Sequence, residues 1–210
     1  MSSVSILGSG NMARGIGTRV AAGGHTVQIL ARDPQESATL ADELGGSATS
    51  GAIGDPLTGD IVLLAVPSPA AAPLVEQYGD KLAGKVVVDI TNPLNVETFD
   101  GLVTPPDSSA AQEIAKSAPA DTRVVKAFNT TFAGTLVAGQ VKDQPLDVFI
   151  AGDDTDAKAA LAGVVEAGGL RAIDAGPLAN AHYLEGIGFL HIALQMSRGT
   201  QFSTAVKLVD

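Results

Sequence analysis

Short runs of Val, Ile, Leu and Ala return at intervals along the whole chain: "VSILG", "HTVQILA", "DIVLLAV", "KVVVDI", "TRVVKAF", "LDVFIAG" and "LRAIDAG". Each run is continuous rather than alternating, which is the pattern of a strand covered on both faces. The segments between them carry helical spacing instead. Met12, Ile16 and Val20 recur every four residues and predict one helix face laid against the sheet, ended by Gly23 and Gly24. Strand runs separated by helices call for parallel crossovers. The predicted fold is therefore α/β, a doubly wound, mostly parallel sheet.

Two regions depart from this rhythm. Residues 95–109, with Pro105 and Pro106, lack periodicity and read as a surface loop. After Asp174 comes "AGPLANAHYLEGIGFLHIALQMSRG", a turn and then a long apolar helix that forms a small C-terminal helical extension. Leu184, Ile187, Gly188, His191, Leu194 and Gln195 share one stripe of that helix, expected to pack on the sheet edge or on a second subunit. No internal repeat or low-complexity linker divides the chain.

Composition narrows the functions open to such a fold. With 210 residues the chain can build one sizeable core or a domain with an appendage, but is short for two full domains. A hydrophobic fraction of 45% argues against disorder, and the formal charge of -10 opposes nucleic acid or an anionic membrane surface as a partner. Cysteine is absent, which removes disulfides, thiolate catalysis and cysteine-based zinc sites. Pro67, Pro69 and Pro73 interrupt the apolar stretch "DIVLLAVPSPAAAPLV", and no basic region precedes the apolar Val4–Leu7, so neither a spanning helix nor a signal peptide is expected. The chain reads as cytoplasmic.

Near the start, "VSILGSGNMARG" places Gly-x-Gly-x-x-Ala between a strand and a helix, the context a dinucleotide-binding fingerprint requires. Gly8 permits the tight turn, Gly10 lets backbone approach a pyrophosphate, and Ala13 keeps the helix close to the strand. The helix start then offers free N–H groups to phosphate. A triphosphate-binding loop is excluded, since no Gly-Lys-Ser/Thr follows. Residues 1–176 are accordingly assigned to a Rossmann domain. Residues 177–210 are assigned to a part that closes the substrate pocket and contributes to a dimer interface.

The choice of dinucleotide turns on "ILARDPQE". The second strand is expected to end at Ala31, followed by Arg32. Asp33 reads as a helix cap, with Pro34 at the first helical position and Glu36 closing a capping box. That leaves Arg32 for the 2′-phosphate of NADP, the alternative being a solvated surface arginine. Over the nicotinamide should lie two strand ends, Ala65, Val66 and Pro67 on one and Thr91, Asn92 and Pro93 on the other, because ligands bind outside the carboxyl ends of strands. The prolines have strand termination as their other role. Asn129 and Thr130 in "KAFNTT" either bond a second substrate or cap the following helix. Histidines 25, 182 and 191 are too scattered for a metal cluster, and no nucleophile elbow or HExxH motif suggests hydrolysis.

With "GSGNMARG", "AR", "VVVDITNP", "AGDDTDAK" and "LRAIDAGPLANAHYLE" in place, the chain resembles the NADPH-dependent coenzyme F420 reductase family along nearly its whole length. The resemblance implies a compact domain, usually dimeric, in which hydride passes between NADP and a deazaflavin, coenzyme F420. Carried over by position, it implies Ser9, Asn11, Met12 and Arg32 as NADP ligands. It implies Asn92 and Pro93, with Gly176, Pro177 and Leu178, as the border of the deazaflavin. "KAFNTT" is more similar to the reductase domains of membrane ferric reductases, the deazaflavin enzymes being expected to carry His in place of Asn129. Other acceptors, a flavin or a small carbonyl or imine compound, and a non-catalytic NADP-binding module are the alternatives.

Overall fold

Most of the continuous apolar runs become buried strands. The computed structural model of the protein describes residues 1–95 and 97–209. Strand β1 (Ser3–Leu7) leads through helix α1 (Asn11–Ala22) to β2 (Thr26–Ala31), and α2 (Pro34–Leu44) leads to the short edge strand β3 (Thr49–Ala52). The chain then returns to the other side of β1 as β4 (Ile61–Leu64), followed by α3 (Ser68–Tyr78) and β5 (Val86–Asp89). Helix α4 (Ala110–Ser117) leads to β6 (Arg123–Lys126), and α5 (Ala133–Ala138) to a small hairpin of β7 (Gln140–Val141) and β8 (Gln144–Pro145). Strand β9 (Asp147–Gly152), α6 (Thr155–Ala167) and β10 (Arg171–Asp174) follow, then the C-terminal helix α7 (Ala181–Arg198).

The main sheet has eight strands in the order β10-β9-β6-β5-β4-β1-β2-β3, all parallel except where β6 meets β9. That pairing covers only Val125 with Gly152 and Lys126 with Ala151, and β9, α6 and β10 form a βαβ unit attached antiparallel to the rest. Every residue of β4 and β5 is buried, as their unbroken apolar runs require. Ile16 and Val20 of α1 are fully covered and Met12 partly so, in accord with their spacing.

All the expected strands form, but β3 and the hairpin β7–β8 were not foreseen. Their sequences, "TSGA", "QV" and "QP", are short, polar and exposed, so they carry no apolar signal. The loop at 95–109 is anchored rather than free: Leu94 bridges Leu102, Ser109 is buried as the cap of α4, and Val96 lies outside the described residues. On α7 the expected stripe divides. Leu184, Gly188, His191 and Gln195 face inward with Glu185, whereas Ile187 and Leu194 face out beside Tyr183, Leu190 and Met196.

The tail after α7 runs back to β9 and ends on Asp147. This buried carboxylate accepts hydrogen bonds from Arg171 Nε and Nη2 at 2.9 and 2.8 Å, from Lys207 Nζ at 2.8 Å and from the Leu208 N–H at 2.8 Å. Burial by itself would raise its pKa, but the donors outweigh burial and bring it down from 3.8 to about 2. A carboxyl lowered on folding stabilises the protein above its ordinary pKa and loses that contribution as pH falls through the folded value. Asp147→Asn should therefore cost about 2 kcal/mol at neutral pH. Thermal unfolding should register this as a Tm lower by roughly 4–8 °C. The gap to the unchanged protein should close as pH falls from about 4 toward 2.

Candidate functional site: a dinucleotide cleft at the switch point

Strand order reverses at β1: β2 and β3 build outward on one side and β4 begins the other, so the crevice between the ends of β1 and β4 is the topological switch point. Gly8, just after β1, has φ of +124°, and a Cβ there would lie 2.1 Å from the carbonyl oxygen of Ala65 at the end of β4. Only glycine lets the turn come so close to the neighbouring strand. Its N–H donates to Leu30 O at 2.8 Å, which ties the turn to β2. Gly10 is the N-cap of α1 and has no capping side chain, and a Cβ there would meet nothing within 4 Å. The helix start thus opens into space with its first N–H groups undirected, ready for an anion. Ala13 is fully buried beneath it.

Around this turn lies a cleft of about 730 Å³. Of the residues expected to hold the cofactor, Gly8, Ser9, Gly10, Ala31, Arg32, Ala65, Val66 and Pro67 line it. Asn11 and Met12, in the first turn of α1, and Asn92 do not. Sequence reasoning passed over Arg14, Glu36 and the α3 positions Ala70, Pro73, Leu74 and Gln77, which form its far wall. Their spacing of three and four residues was a readable signal, because it marks one face of a helix.

The end of β2 matches expectation in part. Ala31 is its last residue, and the Asp33 carboxylate caps α2 by accepting from the Gln35 N–H at 2.9 Å. Arg32 is exposed, lines the cleft, and makes no hydrogen bond or ion pair among the described residues. Glu36 does not close a capping box. Its Oε2 instead accepts from the Ser9 hydroxyl at 2.7 Å, across the mouth of the cleft. Arg14 is already engaged, by Glu43 at 2.7 Å and Asn11 at 3.2 Å.

A second polar group sits at the ends of β5 and β6, under α7. Asn92 Nδ2 donates to Asn129 O at 2.8 Å, and Asn129 Nδ2 donates to Asn92 Oδ1 at 2.9 Å and to Leu184 O at 2.8 Å. Gly188 makes the contact possible, since a Cβ there would stand 2.3 Å from Asn92 Oδ1. Neither Asn129 nor Thr130 caps α5, whose N-cap is Phe132; both are buried, and Thr130 O meets His191 Nδ1 at 3.2 Å. Asn129 Oδ1 is buried without a hydrogen-bond partner. Pro93 and Leu178 are buried, and Gly176 and Pro177 lie nearer the surface. Leu178 N donates to Asp153 at 2.9 Å, which starts the turn into α7.

Beneath the asparagines lies a charge cluster that sequence reasoning missed. Lys126 Nζ reaches Asp89 Oδ2 and Glu185 Oε1, each at 2.7 Å, and Thr91 O at 2.6 Å, with all three ionisable side chains fully buried. Burial raises the pKa of Glu185, with the Lys126 ammonium opposing it. The available signal was a lysine inside the buried run "RVVKAF", which demands a partner. Lys126→Met should cost about 3–5 kcal/mol in urea unfolding at neutral pH, because two buried carboxylates lose their cation. The loss should shrink as pH is lowered through the carboxylate range, since protonation removes the uncompensated charge.

Fold and cleft together define a nucleotide-binding Rossmann protein of the dehydrogenase type. A family profile described as "NADP oxidoreductase coenzyme F420-dependent" matches residues 3–93. The F420-dependent NADP reductase of Methanothermobacter thermautotrophicus is 30% identical over 204 residues, covering 90% of this chain and 87% of its own. The metalloreductase STEAP3 of Rattus norvegicus is 35% identical over 185 residues, covering 88% of this chain, which spans only 36% of that protein's length. Among solved structures, a candidate F420-dependent NADP-reductase from Arthrobacter sp. FB24 superposes with a TM-score of 0.88 at 26% identity over all of both chains. The chain belongs to the family of F420-dependent NADP reductases.

Proposed function

We propose that the protein is an oxidoreductase that transfers hydride between NADP(H) and a deazaflavin, coenzyme F420. The observation that carries this reading is the switch-point cleft with an arginine that has no protein partner among the described residues at the end of β2, in a chain of this family. The reaction's chemistry belongs to the two cofactors; the protein binds them, orients them and keeps water away. Gly8, Ser9, Gly10, Asn11 and Met12 would receive the pyrophosphate half, and Arg32 the 2′-phosphate. Ala65, Val66, Pro67 and Asn92 would border the nicotinamide. Pro93, Asn129, Thr130 and the turn Gly176–Leu178 would border the second substrate, with residues 177–210 closing over the domain formed by 1–176.

The outward face of α7 supports a homodimer: Tyr183, Ile187, Leu190 and Leu194 are 38–68% exposed at spacings that align them. No helix among the described residues is long and apolar enough to cross a membrane, and a formal charge of -10 disfavours nucleic acid; both fit a small-molecule redox partner in the cytoplasm. The likeness to STEAP3, together with "KAFNTT", favours one second reading, an NADPH-dependent reductase of a different acceptor such as a flavin.

Mixing the protein with NADPH and oxidised F420 should bleach the deazaflavin absorbance, and deuterium carried by NADPH should appear in the reduced deazaflavin. Faster reduction of free flavin would favour the second reading, and tight NADPH binding without turnover of either would reduce the protein to a binding module. Arg32→Ala should weaken NADPH binding about tenfold to a hundredfold while leaving NADH nearly unchanged, as loss of a charge-assisted phosphate contact requires. Equal losses for both would refute the role of Arg32.

A further inference from the structure

The mouth of the cleft holds two side chains of opposite chemistry. Arg32, a cation with no protein partner among the described residues, suits a phosphate. Glu36, an exposed carboxylate in the first turn of α2, suits a hydroxyl donor. The two do not pair with each other. Glu36 takes the Ser9 hydroxyl at 2.7 Å instead, which places a carboxylate against the Gly8–Gly10 turn. Asp33 is turned to the α2 cap, its Oδ1 accepting from the Gln35 N–H, and Arg14 is balanced by Glu43.

These contacts compete for one ligand group. The hydroxyl of Ser9 has a single proton to donate, so it can serve Glu36 or an incoming phosphate but not both. A phosphate drawn to Arg32 also meets the negative charge of Glu36, whereas an unphosphorylated ribose offers its hydroxyl to that carboxylate without disturbing Ser9. Building on the cofactor cleft proposed above, we propose that Glu36 is a selectivity-determining residue, holding down the preference of the site for NADP(H) over NAD(H) and supplying the acceptor for an unphosphorylated ribose.

The test is Glu36→Gln, which keeps an oxygen for Ser9 and removes only the charge. Dissociation constants for NADPH and NADH are measured by fluorescence titration on the unchanged protein, on Glu36→Gln and on Arg32→Ala. The variant should bind NADPH about five- to twentyfold more tightly and NADH more weakly. The NADPH gain should shrink at high ionic strength, where exposed charges are screened. An NADPH-to-NADH ratio unchanged within about twofold in Glu36→Gln, while Arg32→Ala selectively loses NADPH, would overturn the role of Glu36 and leave the cleft intact. Loss of both nucleotides alike in Arg32→Ala would instead refute the assignment of the cleft's 2′-phosphate position.

Discussion

A lysine ammonium with no water around it is the constraint on which the far half of the structure turns. Lys126 stands at the end of β6 with its three protons directed at Asp89 of β5, Glu185 of α7 and the carbonyl of Thr91. None of these groups can be released alone, because an unpaired buried charge is costly where the dielectric is low. Glu185 also accepts from the Ala110 N–H at the start of α4, and Asp89 from the Thr91 N–H. One cluster thus binds two strands and two helices into a single arrangement. It sets the height of α7 over the sheet, and so brings Gly188 within reach of Asn92 and Asn129.

The near half obeys a steric constraint instead. Gly8 lets the turn after β1 press against the end of β4, and the sheet order makes that meeting point the place where crossovers diverge to opposite sides. Backbone does the work here: an uncapped helix start, a glycine without a side chain in the way, and a wall supplied by α3. At its rim stand Ser9, Arg32 and Glu36, with Glu36 accepting from the Ser9 hydroxyl and Arg32 exposed. A cleft built this way presents backbone N–H groups at its floor and a few exposed polar side chains at its rim.

Much of this could be read along the chain. The buried parallel strands appear as continuous apolar runs, because burial on both faces removes alternation. The glycine fingerprint, the end of β2 at Ala31 and the cap at Asp33 follow from local rules that involve neighbours a few residues apart. β3 and the β7–β8 hairpin escaped, since exposed short strands draw their hydrogen bonds from a partner rather than from their own composition.

What the sequence determined by itself was therefore the fold class, the location of the dinucleotide turn and the family to which its motifs belong. Only the tertiary structure decided which polar groups meet. Glu36 left the capping box suggested by its spacing for Ser9, 27 residues away. Asn129, read as a substrate contact or a helix cap, clasps α7 at Leu184, 55 residues on. Lys126 and Glu185 became partners across 59 residues. Periodicity reports whether a position is covered, but a hydrogen bond or ion pair depends on distances of a few ångströms between atoms that chain folding alone brings together.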